Sequence, residues 1–375
     1  MAPIRVLVVD DAVVVRRVVS EALSLEPDLE VVATAANGRI ALQRIPQCSP
    51  DIVTLDVEMP EMDGLETLRR IRAEYPGLPV IMFSTLTERG AATTLDALSL
   101  GASDYITKPS HTGSLESSMT ALRAELGPRI RALVRRPAAA APGPAPGRPA
   151  PARVLAHPSV HGGVPPVGVL AVGVSTGGPN ALGDLLPRLR PDLPVPVVIV
   201  QHMPPMFTRL LAERLDAQCA LTVREAAAGD VLRPGHVYVA PGGWHMEVCR
   251  RGTDVVVALT QAPPENSCRP AVDVLFRSVA LTFGTNVLAV VLTGMGQDGL
   301  RGCMDIREHG GRVLAQDEAS SVVWGMPGFV AKAGLAEKVL PLDALGPEIN
   351  RRAMEGRVGT RHEPLAAAPR AAVHP

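Results

Sequence analysis

Two long stretches of the chain alternate short β-branched runs with amphipathic segments, and between them the pattern is lost. In the first stretch, apolar runs predict strands over residues 4–9, 30–34, 52–56, 79–84 and 105–107. Between them, apolar residues recurring every three or four positions predict helices over residues 12–25, 38–45, 64–74, 91–100 and 114–133. Repeated βα units of this kind predict a flavodoxin-like, five-stranded, doubly wound parallel sheet, whose ligands bind at the carboxyl ends of its strands.

The second stretch opens with VGVLAVGVSTGGPNAL, residues 167–182, which reads as a buried strand, a sharp Gly-rich turn carrying Ser175 and Thr176, and the start of a helix. There follow a strand over 195–201, a helix over 205–217 and a β-rich insert through VYVAPGGWHMEV and VVVALT. A helix over 270–283, a strand over 286–292, a helix over 299–309, a strand over 312–315 and a helix over 321–333 complete it. This predicts a second α/β unit with a mostly parallel sheet and a β-hairpin insert at one edge. Residues 128–166 collapse into Ala, Pro, Gly and Arg, a composition that blocks helix and sheet and favours an extended tether. The expected division is therefore 1–127, a linker over 128–166, 167–354, and a disordered tail over 355–375.

Composition narrows the function. With 46% hydrophobic and 20% charged residues and a net charge of -1, the chain makes no electrostatic case for nucleic acid or an anionic membrane. The N-terminus reaches strand-like sequence within a few residues, and no apolar run approaches the roughly 18 residues that cross a bilayer, so neither a signal segment nor membrane insertion is expected. Cys48, Cys219, Cys249, Cys268 and Cys303 are scattered without a C-x-x-C pair, which predicts reduced thiols, a cytoplasmic location and no structural metal. A monomer is expected.

The chemistry gathers where strands end. In the first unit Asp10 and Asp11 end the first strand, Asp56 the third and Ser84 the fourth, while Lys108 follows the fifth. Clustered carboxylates repel unless a hard cation sits among them, so Asp10, Asp11 and Asp56 are candidate Mg²⁺ ligands, and Lys108 would counter a phosphoryl group on Asp56. Any one of these acids could instead be a helix cap. In the second unit Ser175 sits in the turn after the first strand, His202 directly follows VPVVIVQ, and NVLAVVL runs into a loop carrying Met295 and Asp298. Serine, imidazole and carboxylate at one sheet edge would form a nucleophile, base and orienter for acyl transfer, with the NH groups of Thr176 and Met295 as the candidate oxyanion site. A serine in a Gly-rich βα turn also serves to bind phosphate, His202 could be structural, and Asp298 could cap the following helix. Against nucleotide binding, VPVVIVQ closes on Gln201 and His202 rather than on an acid.

The motifs VLVVDD, TLDVEMPEMDGLE, MFST and GASDYITKP resemble the receiver domain of two-component response regulators. The resemblance implies phosphorylation of Asp56 by a histidine kinase, with Ser84 closing on the phosphoryl group and Tyr105 swinging with it. GVSTGGP, QHMPPMFTRLLAERLD, VYVAPGGWHM, RPAVDVLFRSVA, VLTGMGQDG and WGMP resemble the catalytic domain of the CheB family of chemotaxis methylesterases. That resemblance implies hydrolysis of γ-glutamyl methyl esters on methyl-accepting chemoreceptors with release of methanol, deamidation of receptor glutamines, and Ser175, His202 and Asp298 as the triad. It also implies that the unphosphorylated receiver covers the esterase mouth. The competing reading is a receiver-controlled nucleotide-binding or protein-interaction module without hydrolase activity.

Overall fold

A computed structural model describes residues 2–85, 87–108, 115–134 and 165–355. Apart from 128–134, 165–166 and 355, the expected linker and tail lie outside the described residues. The first unit runs β1 (Ile4–Val9), α1 (Val13–Ser24), β2 (Leu29–Ala35), α2 (Gly38–Cys48), β3 (Ile52–Asp56), α3 (Gly64–Glu74), β4 (Val80–Ser84), α4 (Glu88–Ser99), β5 (Asp104–Thr107) and α5 (Leu115–Val134). Its five-stranded parallel sheet has the order β2-β1-β3-β4-β5. Strands buried on both faces need unbroken apolar sequence, and all of β3 and β4 is buried. Polar residues set where helices begin: Asn37 accepts a hydrogen bond from the Ile40 NH at 2.9 Å and Asp63 one from the Glu66 NH at 2.8 Å.

Helix α5 continues through Pro128 to Val134, so the expected start of the tether at 128 falls inside it. Tertiary contacts outweigh the proline's local cost. Leu126, Ile130 and Leu133 enter a core shared with β1 and α1, while Arg131 bridges Glu26 at 2.5 Å and Asp28 at 2.7 Å.

The second unit runs β6 (Val169–Val174), α6 (Gly178–Leu185), β7 (Val197–Gln201), α7 (Phe207–Asp216), β8 (Thr222–Glu225), β9 (His236–Val239), β10 (His245–Arg251) and β11 (Asp254–Thr260). It continues through α8 (Val272–Phe283), β12 (Val287–Val291), α9 (Leu300–Glu308), β13 (Arg312–Gln316), α10 (Met326–Lys332), β14 (Lys338–Leu340) and α11 (Leu342–Met354). Seven parallel strands take the order β14-β13-β12-β6-β7-β9-β8. The insert divides differently from the expectation: HVYV runs as β9 inside the main sheet, and only β10 and β11 form an antiparallel hairpin, in a sheet of their own. The apolar VYV is buried on both faces, which only an interior strand achieves. Residues 321–325, expected to be helical, are held instead as a loop by a bridge between Gly294 and Trp324. The three-residue β14 and the helix α11 lie beyond the expected elements, although α11 buries Leu345, Ile349 and Ala353 at helical spacing.

The chain leaves β6 toward β7 on one side and reaches β12, β13 and β14 on the other, so the sheet changes direction between β6 and β12. Such a switch point opens a crevice at the strands' carboxyl ends.

Candidate functional site

Backbone bonds draw three loops together at that crevice. The Ser175 NH donates to Thr293 O at 3.0 Å, the His202 NH to Val174 O at 3.2 Å, and Gln201 Nε2 to Ser175 O at 3.0 Å. Gly177 starts α6 in the left-handed region at φ 76°, which aims the turn out of the sheet. Gly294 allows β12's loop to press on Ser175, for a Cβ there would stand 2.8 Å from the Ser175 Cβ.

His202 Nε2 and Asp298 Oδ2 are 2.7 Å apart. Asp298 is buried and highly coordinated: Oδ2 also accepts from the Val272 NH at 2.7 Å, and Oδ1 from the NH groups of Asp273 and Gly299, each at 3.0 Å. It therefore satisfies the first NH groups of α8, rather than capping α9 as expected, and holds the imidazole at once. Burial opposes its ionisation, but His202 and these NH groups keep its carboxyl below the ordinary range. Burial likewise opposes protonation of His202, yet the bond to Asp298 and the contact with Cys268 raise it to about 9. With Nε2 committed to Asp298, the other ring nitrogen, Nδ1, faces Cys268 Sγ at 3.6 Å. Among the described residues no hydrogen bond joins Ser175 Oγ to His202, so the base and orienter are paired without the serine. The NH groups of Thr176 and Met295 donate to no acceptor among the described residues.

Cys268, Asn266 and Asp273 were not singled out from the sequence. Asn266 Nδ2 donates to Asp273 Oδ2 and to Asp298 Oδ1, each at 2.9 Å. The letters PPENSCRP mark this segment as a turn, and nothing in them points to the distant Asp298.

In the first unit Asp10, Asp11 and Asp56 bring carboxylate oxygens within 4.8 Å of one another. Lys108 Nζ lies 2.8 Å from both Asp10 and Asp56. Burial, reinforced by the charge of Asp10, lifts Asp56 to about 6 despite Lys108. Among the described residues the Lys108 ammonium is the close partner of Asp10 Oδ2 and Asp56 Oδ2, and each oxygen keeps a second lone pair. Hard carboxylate oxygens with unused acceptor capacity suit Mg²⁺. Ser84 Oγ is turned toward α4, donating to Gly90 O at 3.1 Å.

The two units meet over the crevice. The Tyr105 ring stacks on Phe207 with centroids 4.9 Å apart and planes within 10°. The buried Thr176 hydroxyl donates to Asp104 Oδ2 at 3.2 Å, and Asp104 is paired with Arg129 at 2.8 Å. Arg214 reaches Asp96 at 2.8 Å, and Asn180 donates to Leu98 O at 2.8 Å. A cavity of about 430 Å³ remains between the units, lined by Tyr105, Arg129, His202, Met203 and Cys268 among others.

A five-stranded receiver with its acidic mouth, joined to a parallel α/β unit with a loop-built polar crevice, defines a response regulator whose output domain is an enzyme. The response regulator receiver family matches residues 6–120, and the CheB methylesterase family matches residues 170–349. A protein-glutamate methylesterase/protein-glutamine glutaminase of Nocardioides sp. is 58% identical over 94% of this chain and 96% of its own length. One of the same name from Trichodesmium erythraeum is 53% identical over 94% and 99%, and one from Azospirillum brasilense 44% identical over 93% and 92%. The chain belongs to the CheB family of protein-glutamate methylesterases/protein-glutamine glutaminases. The alternative of a nucleotide-binding or protein-interaction module without hydrolase activity is not favoured.

Proposed function

We propose that this chain is a phosphorylation-regulated hydrolase that removes methyl groups from glutamate γ-methyl esters of methyl-accepting chemoreceptors and deamidates receptor glutamines. The observation that carries the reading is the 2.7 Å pair of His202 and Asp298 at the sheet's switch point, beside the turn bearing Ser175. Ser175 Oγ attacks the ester carbonyl as His202 Nδ1, the nitrogen that Asp298 leaves available, takes its proton. The NH groups of Thr176 and Met295 face the developing oxyanion. His202 returns the proton to the departing methoxide, releasing methanol, and a water activated by the same base then frees the carboxylate. For a glutamine side chain the leaving group is ammonia.

In the receiver, Asp56 accepts a phosphoryl group from a histidine kinase. Asp10, Asp11 and Asp56 would hold Mg²⁺, which would neutralise phosphoryl charge, while Lys108 stands ready to pair with the new anion. A phosphoryl dianion in place of the single carboxylate charge, with its added acceptor oxygens, would draw Ser84 and Lys108 inward and repack β5. The Tyr105 stack and the Asp104 contact to Thr176 lie on that strand, so the repacking loosens the cover over Ser175. Residues 1–134 and 167–354 act as regulator and enzyme in a cytoplasmic chain. Methanol release from methyl-labelled receptors, measured with and without a small-molecule phosphodonor, tests the reading. Phosphodonor-stimulated release that Ser175→Ala abolishes supports it, and release unaffected by that substitution rejects it.

A further inference from the structure

The turn between the β10–β11 hairpin and α8 touches the His202–Asp298 pair from two sides. Glu265 and Cys268 exchange backbone hydrogen bonds of 3.1 and 2.9 Å, and the two residues between them, Asn266 at φ 53° and Ser267 at φ 63°, are both left-handed. This is the two-residue turn geometry in which Asn at the first position is favoured and Gly at the second is usual. It delivers the Asn266 amide into the space between two buried carboxylates, Asp298 at 2% and Asp273 at 1% exposure. One nitrogen donates to both, at 2.9 Å each. Asp273 is otherwise held by the Gly302 NH at 2.7 Å, and the charge of Asp298 adds to burial in lifting its carboxyl above the ordinary range. Two acids at such separation in a dry site repel, and a shared donor is what lets both stay in place.

We propose that Asn266 is a positioning residue for the esterase: its amide ties Asp298 Oδ1 to Asp273, so that Oδ2 stays aimed at His202 and the Asp273 charge is kept from the relay. The inference rests on the proposed function of Ser175, His202 and Asp298. Asn266 touches no reacting atom and acts only through Asp298.

Asn266→Gly removes the amide while suiting the left-handed backbone, so the turn itself is preserved. In the full chain it is expected to lower kcat for demethylation by about 10- to 100-fold, the range for losing a hydrogen bond to a charged group, with KM within about twofold. The rising limb of the pH profile moves to higher pH, because two unscreened carboxylates then face the imidazolium. Asn266→Gly combined with Asp273→Asn returns both the limb and most of kcat, since the repelling charge is gone. A residue that merely shaped the turn would lower the rate without moving the limb, and Asp273→Asn would not relieve it. Asn266→Asp, which also tolerates the left-handed region, keeps the turn but replaces the donor with a third acid. It should lose at least as much activity and shift the limb further. Wild-type kcat in Asn266→Gly, or a loss with an unmoved limb that Asp273→Asn leaves unchanged, overturns the proposal. If Ser175→Ala and Asp298→Ala stay active, the function itself is wrong; if both are dead and Asn266→Gly is not impaired, only the role of Asn266 falls.

Discussion

The His202–Asp298 pair makes a quantitative demand on the pH dependence of the resting enzyme. An imidazole raised from 6.5 to about 9 is held as the cation at neutral pH, and only about 1% of it is neutral at pH 7. General-base catalysis needs the neutral form, so basal kcat/KM of the unphosphorylated chain should rise close to tenfold per pH unit from pH 6 and level off near pH 9. The shift corresponds to about 3 kcal/mol of interaction favouring the charged ring. Its sign follows from the folded pKa lying above the unfolded one. The contribution to stability is fully present below pH 6.5 and is lost as pH rises through about 9. Asp298→Asn removes the carboxylate charge that offsets burial, so the limb should move to lower pH even as the plateau drops about 10⁴-fold from the loss of orientation. The assay is initial-rate methanol release from methylated receptor between pH 5.5 and 10, on both proteins. A limb in the ordinary imidazole range for the wild type, unmoved in Asp298→Asn, would refute the assignment of His202 as the ion-paired base.

Further outcomes follow from other parts of the structure. Ser175→Ala should lose up to about a millionfold in turnover while its melting curve stays within error of wild type, because the hydroxyl makes no hydrogen bond among the described residues. Asp104→Asn weakens both the Arg129 pair and the grip on the Thr176 hydroxyl, so basal demethylation without phosphodonor should rise several-fold; an unchanged basal rate would mean that this contact does not restrain the enzyme. The fragment 167–354 should likewise exceed the resting full chain in activity, measured on the same receptor. Asp56→Asn should abolish phosphodonor stimulation and yet stabilise the receiver by up to about 3 kcal/mol at pH 8, since ionised Asp56 is disfavoured where it sits. Because the folded pKa is the higher one, that gain should shrink as pH falls through about 6 and vanish near pH 4, as read by denaturant titration in the absence of divalent cations.

Much of the architecture was legible in the sequence. Fully buried parallel strands leave an unambiguous signature, and runs such as VLAVGV and VLAVV coincide with β6 and β12 almost to the residue. Strand-end reasoning placed Asp10, Asp56 and Lys108 in one mouth and Ser175, His202 and Asp298 at one crevice, because in a doubly wound sheet every carboxyl end faces the same way. Periodicity could not decide what depends on partners distant in the chain. That HVYV is an interior strand and not half of a hairpin was decided by β7 and β8 pairing on either side of it. Periodicity did carry α5 to residue 133; that its last two turns belong to the receiver and not to the tether was decided by the apolar groove and the acids they meet. The Asn266 amide shared by Asp273 and Asp298, the Cys268 thiol beside Nδ1 and the Asp104 hold on Thr176 carry no local pattern at all. Local sequence sets backbone preference and which face is apolar, whereas a hydrogen bond between residues tens of positions apart exists only once packing has brought them within 3 Å.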